Sequence, residues 1–175
     1  GHVAALPKVI AAEKLGYVAD AIKILKRELH VPLIGFCGAP FTVASYMVEG
    51  GSSRTLRETK KWMLSDPETF HELLNRITEA TIDYLNMQID AGVNAIQIFD
   101  SWANYLSYPH FLEFSSAYMG KIMRGVKRSN IPVILFSKGP SVFSHSLATH
   151  QPAALSIDWS AHLPSLRHSI KHPIA

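Results

Sequence analysis

Four short apolar runs in this sequence each end in residues able to do chemistry: Gly35-Phe36-Cys37-Gly38-Ala39-Pro40, Asp100-Ser101, Ser137-Lys138-Gly139 and Asp158-Trp159-Ser160. Carboxylate, hydroxyl and ammonium groups of this kind bind an acidic or polar substrate and hold or move protons. If the runs are parallel strands of a barrel, their ends converge on one face, and the loops that follow build a site there. Ser and Asp in such places also cap helices. Four in succession favour a site.

The elements needed to position them can be read from hydrophobic period and punctuation. Val9, Ala12, Leu15, Val18, Ile22 and Leu25 recur at helical spacing and predict an amphipathic helix from about Leu6 to Leu29. Pro32 bars its continuation, and Leu33-Ile34-Gly35-Phe36 reads as a buried strand. Helices are expected over Phe41–Val48 and Thr55–Leu64. A longer one spans Pro67–Ala91, with Ser65 or Asp66 as its cap, Pro67 at its first position and Gly92 as its stop. The pattern repeats as strand 95–99, loop 100–108, helix 111–127, strand 132–136, helix 141–149, strand 154–157 and helix 163–170. His172-Pro173-Ile174-Ala175 reads as the approach to a fifth strand. Such alternation implies parallel pairing with both sheet faces covered. Such a sheet can be an open, doubly wound one or a closed barrel, and four units in this length suit half of a (β/α)8 barrel. We therefore expect one domain over residues 1–175, an internal part of such a barrel.

Composition narrows the function classes. With 47% hydrophobic and 18% charged residues, the chain is composed like a folded globular protein. Its formal charge is +3, and the pairs Lys26-Arg27, Lys60-Lys61 and Lys127-Arg128 are scattered near helix ends. No basic stripe with interleaved aromatics marks a nucleic-acid surface, and no run is long enough to span a membrane. Cys37 is the sole cysteine and follows a buried strand, so an inert core thiol is the reading. Of the nine histidines, His145, His150, His162, His168 and His172 crowd the last third without a metal-ligand spacing, and are read as surface residues.

The string from Pro32 through Phe36 and Pro40 to Tyr46, Gly50-Gly51 and Ser52-Ser53 resembles the signature of the uroporphyrinogen decarboxylase family. The likeness extends in the family's order through Leu15-Gly16-Tyr17, Ile98-Phe99-Asp100-Ser101-Trp102, Leu135-Phe136-Ser137-Lys138-Gly139 and Ile157-Asp158-Trp159. It implies a (β/α)8 barrel, commonly a homodimer in the cytoplasm, that removes carboxyl groups from the four acetates of a tetrapyrrole, uroporphyrinogen, without a cofactor. Position by position it implies that Tyr46 is the active-site tyrosine and Ser101 a substrate-contacting hydroxyl. Phe36 and Gly35 match the wall of the tetrapyrrole cleft.

Asp100 either faces the barrel mouth or accepts bonds from loop amides, with the structural role favoured. Lys138 either attracts an acidic substrate or pairs with Asp100 or Asp158. Arg54 reads as a solvated helix-start residue. The resemblance also implies an arginine-rich loop and a pyrrole-binding aspartate before this region, and a histidine after it. None has a counterpart here, so the chain alone is expected to be inactive. Two alternatives stand beside this reading: a corrinoid- or zinc-dependent methyltransferase of the related barrel group, and a non-catalytic homologue.

Overall fold

The computed structural model describes residues 3–127, 130–139 and 141–174. Helix α1 (Ala11–Glu28) leads to strand β1 (Ile34–Gly38), followed by α2 (Pro40–Glu49), α3 (Arg57–Ser65) and α4 (Pro67–Ala91). Strand β2 (Ala95–Asp100) leads through a 3-10 turn (Ala103–Tyr105) into α5 (Tyr108–Phe111), a π-helical segment (Leu112–Ser116) and α6 (Ala117–Gly125). Strand β3 (Val133–Ser137), α7 (Ser141–Ala148), β4 (Ala154–Ser156) and α8 (Leu163–Ser169) complete the order. The strands pair in parallel as β1-β2-β3-β4. These are four consecutive β/α units of the (β/α)8 type. Among the described residues no helix is long and apolar enough to cross a membrane.

The punctuation acts as its chemistry requires. Asp66 caps α4 by accepting a hydrogen bond from the Thr69 amide, Pro67 opens the helix, and Gly92 closes it at φ 109°. Helix α1 begins later than its apolar period suggests. Its first amide, on Ala11, donates to Asp83 Oδ2 of α4 at 2.7 Å, and within it only Ala11 and Ile22 are buried. The helix expected from Phe111 starts three residues sooner, because Pro109 sits comfortably in a first turn. Strands β1 and β3 are shifted one to two residues toward the C-terminus, which puts Cys37 and Ser137 inside the sheet. Ile174 bridges Leu155 in parallel, where a fifth strand was expected to approach. Ala175 and Arg128 lie outside the described residues.

One expectation is corrected. Helices cover a single face of the sheet, not both. Parallel crossovers share one hand, and because the strands here advance in one direction without reversing, every helix lands on the same side. Strand alternation then sorts the side chains into two layers. Cys37, Ile98, Leu135 and Leu155 are in register and buried beneath the helices. Gly38, Phe99, Phe136 and Ser156 align on the opposite, open face, together with Phe36, which is 63% exposed.

Gly35 belongs to the helix layer. A Cβ there would stand 2.5 Å from Oε1 of Gln88, a buried residue of α4. Without that Cβ, the Gln88 amide reaches the backbone of β1. Its Oε1 accepts from the Phe36 amide at 3.0 Å, and its Nε2 donates to the Phe36 carbonyl at 3.0 Å. Gln88 thus takes the place of a peptide group beside this edge strand. Gly35→Ala should lower stability by about 1–3 kcal/mol through overpacking and loss of these bonds, read as a lower urea midpoint. An unchanged midpoint would contradict this packing.

Candidate functional site at the strand ends

Tyr46 lies on α2, the helix that leaves β1, and is 44% exposed. Its ring meets Trp102 edge-on, with centroids 5.6 Å apart. Ser101 is exposed in the turn between Asp100, the last residue of β2, and Trp102. Thr42, one helical turn before Tyr46, joins the two elements. Its hydroxyl donates to Asp100 Oδ1 at 2.6 Å and accepts from the Trp102 amide at 3.2 Å. Tyr46 and Ser101 therefore stand at the same end of the sheet, on neighbouring elements, and both reach solvent.

Asp100 is fully buried on the helix side. Its second oxygen accepts from Ser115 of the π-helical segment. Burial pushes its carboxyl up from the usual range, while the Ser115 and Thr42 hydroxyls hold it down in part. With both oxygens engaged below the sheet, it has no path to the open face. Lys138 is exposed just past β3, and its amide donates to the Asp100 carbonyl at 3.1 Å. Its ammonium makes no ion pair among the described residues. The Asp158 carboxylate accepts from the Gly139 amide at 3.0 Å and from the Ser160 amide and hydroxyl. Partial burial opposes its ionisation, but the Ser160 and Gly139 bonds, with the Lys138 charge, outweigh burial and hold it below its usual range. Trp159 beside it is 94% exposed. Arg54 is exposed near the start of α3.

An aromatic file on the open face escaped the sequence reading. Phe36 meets Phe99 at 6.2 Å, and Phe99 meets Phe136 at 5.8 Å. Only Phe36 was singled out. Phe99, one position before Asp100, and Phe136, one before Ser137, share its face by two-residue alternation. The usable signal was the parity of each strand position relative to Phe36. Glu49 was also passed over. It ties α2 to α3 by accepting from both the amide and hydroxyl of Thr59 at 2.8 Å.

The histidine reading needs one correction. His150 is not a surface residue. It is half-buried against Gly120, whose missing Cβ leaves room for the ring, and its Nε2 lies 2.9 Å from Ser116 Oγ. Burial pushes its pKa down. Among the described residues no group of three His, Cys, Asp or Glu side chains is gathered as a metal site requires.

The chain matches, over residues 2–175, the family described as Uroporphyrinogen decarboxylase (URO-D). It is 54% identical over 161 residues to a uroporphyrinogen decarboxylase of Protochlamydia amoebophila, covering 92% of this chain and 44% of that relative. It is 44% identical over 179 residues to one of Pseudomonas aeruginosa, covering 99% and 50%. The chain spans about half the length of the curated relatives it matches. A solved methyltransferase from Methanosarcina mazei superposes with a TM-score of 0.69 at 26% identity, over 81% of this chain and 41% of that one.

Cys37 sits in the helix layer, and burial pushes its thiol up to about 12. Above pH 9 the unfolded chain loses this proton and the folded chain keeps it, so its contribution to stability falls as pH rises from 9 towards 12. At pH 8 an aromatic disulfide reagent should label the native chain at least about 100-fold more slowly than the urea-unfolded chain. Equal rates would show that Cys37 is not sealed.

Proposed function

The chain belongs to the uroporphyrinogen decarboxylase family, and from that membership we propose that its strand-end face forms part of a site that decarboxylates the four acetate side chains of uroporphyrinogen, yielding coproporphyrinogen and CO₂. One observation carries the reading: Tyr46 and Ser101 stand together at the rim of an open face lined by Phe36, Phe99 and Phe136. Apolar rings suit the faces of a tetrapyrrole's pyrrole rings, and a rim of hydroxyls suits its carboxylates.

The chemistry asks for little more from these residues. Protonation of a pyrrole ring creates an electron acceptor next to the acetate methylene. The C–C bond to the carboxylate then breaks, CO₂ departs, and the electron pair forms an exocyclic double bond that neutralises the ring. A proton delivered to the methylene carbon completes a methyl group, and the ring gives up the proton it had gained, so each acetate consumes one proton net and releases one CO₂. The protein's task is to stabilise charge on the ring and hold the acetate in line. Tyr46 orients a carboxylate with its hydroxyl. Ser101 donates to a propionate or acetate oxygen, and Lys138 at the neighbouring strand end attracts the polyanion. Phe36 and Phe99 bear on one face of the macrocycle. No part of this scheme calls for a cofactor.

In this reading the 175 residues are the internal part of an eight-unit barrel. Residues outside them supply the remaining charge stabilisation and cover the open face. A cytoplasmic homodimer is the setting that accompanies it.

Two polypeptides test the proposal: this chain alone, and the same residues in a family-length enzyme, obtained by grafting them into the Protochlamydia amoebophila relative. The family-length enzyme should convert uroporphyrinogen to coproporphyrinogen and the 175-residue chain should not. In the former, Phe99→Ala should raise KM about tenfold, equivalent to the loss of about 1.4 kcal/mol of ring contact. Turnover by the short chain would overturn the partial-site reading. A silent family-length enzyme would overturn the activity.

A further inference from the structure

Tyr46 and Ser101 sit on different elements, α2 and the turn after β2, and their relative position must be held by something. Tyr46 and Trp102 meet as a T-shaped ring pair, a contact with no hydrogen bond in it. The directional links lie one layer below. We propose that Asp100 is a positioning residue, whose buried carboxylate acts through the Thr42 hydroxyl to keep the Tyr46 helix and the Ser101 turn in one relative position. This rests on the functional reading of the same site and gives Asp100 a task that needs no contact with substrate.

The hydrogen-bond bookkeeping supports it. A hydroxyl has one proton to give and two lone pairs to offer. Thr42 gives its proton to Asp100 Oδ1 at 2.6 Å, which leaves its lone pairs for the Trp102 amide at 3.2 Å. A carboxylate can only accept, so it dictates which way the hydroxyl points. Ser115 engages the other oxygen and fixes the plane of the carboxylate. The backbone on either side of Ser101 is then pinned. Asp100 belongs to a strand that pairs with both its neighbours, and the Trp102 amide is tied to the helix that carries Tyr46 four residues beyond Thr42. A fully buried acidic group is costly unless its oxygens are hydrogen-bonded, as both are here, and a fully bonded buried network rigidifies the elements it joins.

The decisive comparison is Thr42→Val against Thr42→Ser in the family-length enzyme. Valine preserves the shape and removes the hydroxyl, whereas serine keeps the hydroxyl and removes a methyl. Thr42→Val should lower kcat about 10- to 100-fold, as misplacement of a reacting pair does. KM should move less than about threefold, and Thr42→Ser should restore kcat to within about threefold. The Trp102 amide should exchange with solvent faster in Thr42→Val and return to the parent rate in Thr42→Ser. If the valine variant does not fold, Thr42→Ala replaces it and should show the same fall in kcat.

Parent-like kcat and exchange in Thr42→Val, or equal impairment of the valine and serine variants, would overturn the inference. If the parent enzyme itself is inactive on uroporphyrinogen, the functional reading fails. The exchange rates then decide the positioning link independently.

Discussion

The whole arrangement depends on the two-residue alternation of a parallel sheet whose helices all lie on one side. That constraint assigns every strand residue to one of two environments before any side chain is considered. Cys37, Ile98, Leu135 and Leu155 fall into the helix layer and form the core with Phe41, Phe70 and Phe111. Phe36, Phe99 and Phe136 fall on the opposite face, where they cannot join that core. The same parity separates neighbours in sequence: Asp100 goes down into the protein, and Ser101 leaves at the rim. A slip of one residue in register would exchange the two environments.

Chemistry follows from this sorting. A thiol in the helix layer loses its reactivity to desolvation, as Cys37 does. A carboxylate in the same layer survives by accepting hydroxyl protons, as Asp100 does from Thr42 and Ser115. The structural resemblance to a methyltransferase from Methanosarcina mazei is a likeness of scaffold. Cys37 is turned away from the open face, so the only thiol in the chain is not placed to serve chemistry there.

Much of this was legible in the residues. The alternation of apolar runs with helical periods, the Asp66-Pro67 start and the Gly92 stop define the β/α units, because each signal is local. The Tyr46 and Ser101 positions were legible from the family resemblance, since they fall in short, dense motifs. What was not legible depends on distance in space. The Gln88 amide beside Phe36 is 52 residues from its partner in sequence, and no local pattern announces it. Ser115 looks like an ordinary helix serine until a π-helical turn delivers it to Asp100. His150 looks like one of several surface histidines until Gly120 makes room for it. The open face was missed for a different reason. Alternating strands and helices imply a covered sheet, but the number of covered faces depends on whether strand order reverses, and that is a property of topology.

The central claim is that the face bearing Phe36, Phe99 and Phe136, with Tyr46 at its rim, receives the tetrapyrrole. Hydroxyl-radical footprinting of a family-length enzyme, with and without the oxidised, unreactive porphyrin carrying the same eight carboxylate side chains, measures this residue by residue. Protection of Phe36, Phe99, Phe136 and Tyr46, with Tyr17 and Leu64 on the outer helices unchanged, is the predicted pattern. Protection confined to the outer helices, with those four residues still oxidised at their free rates, would contradict it.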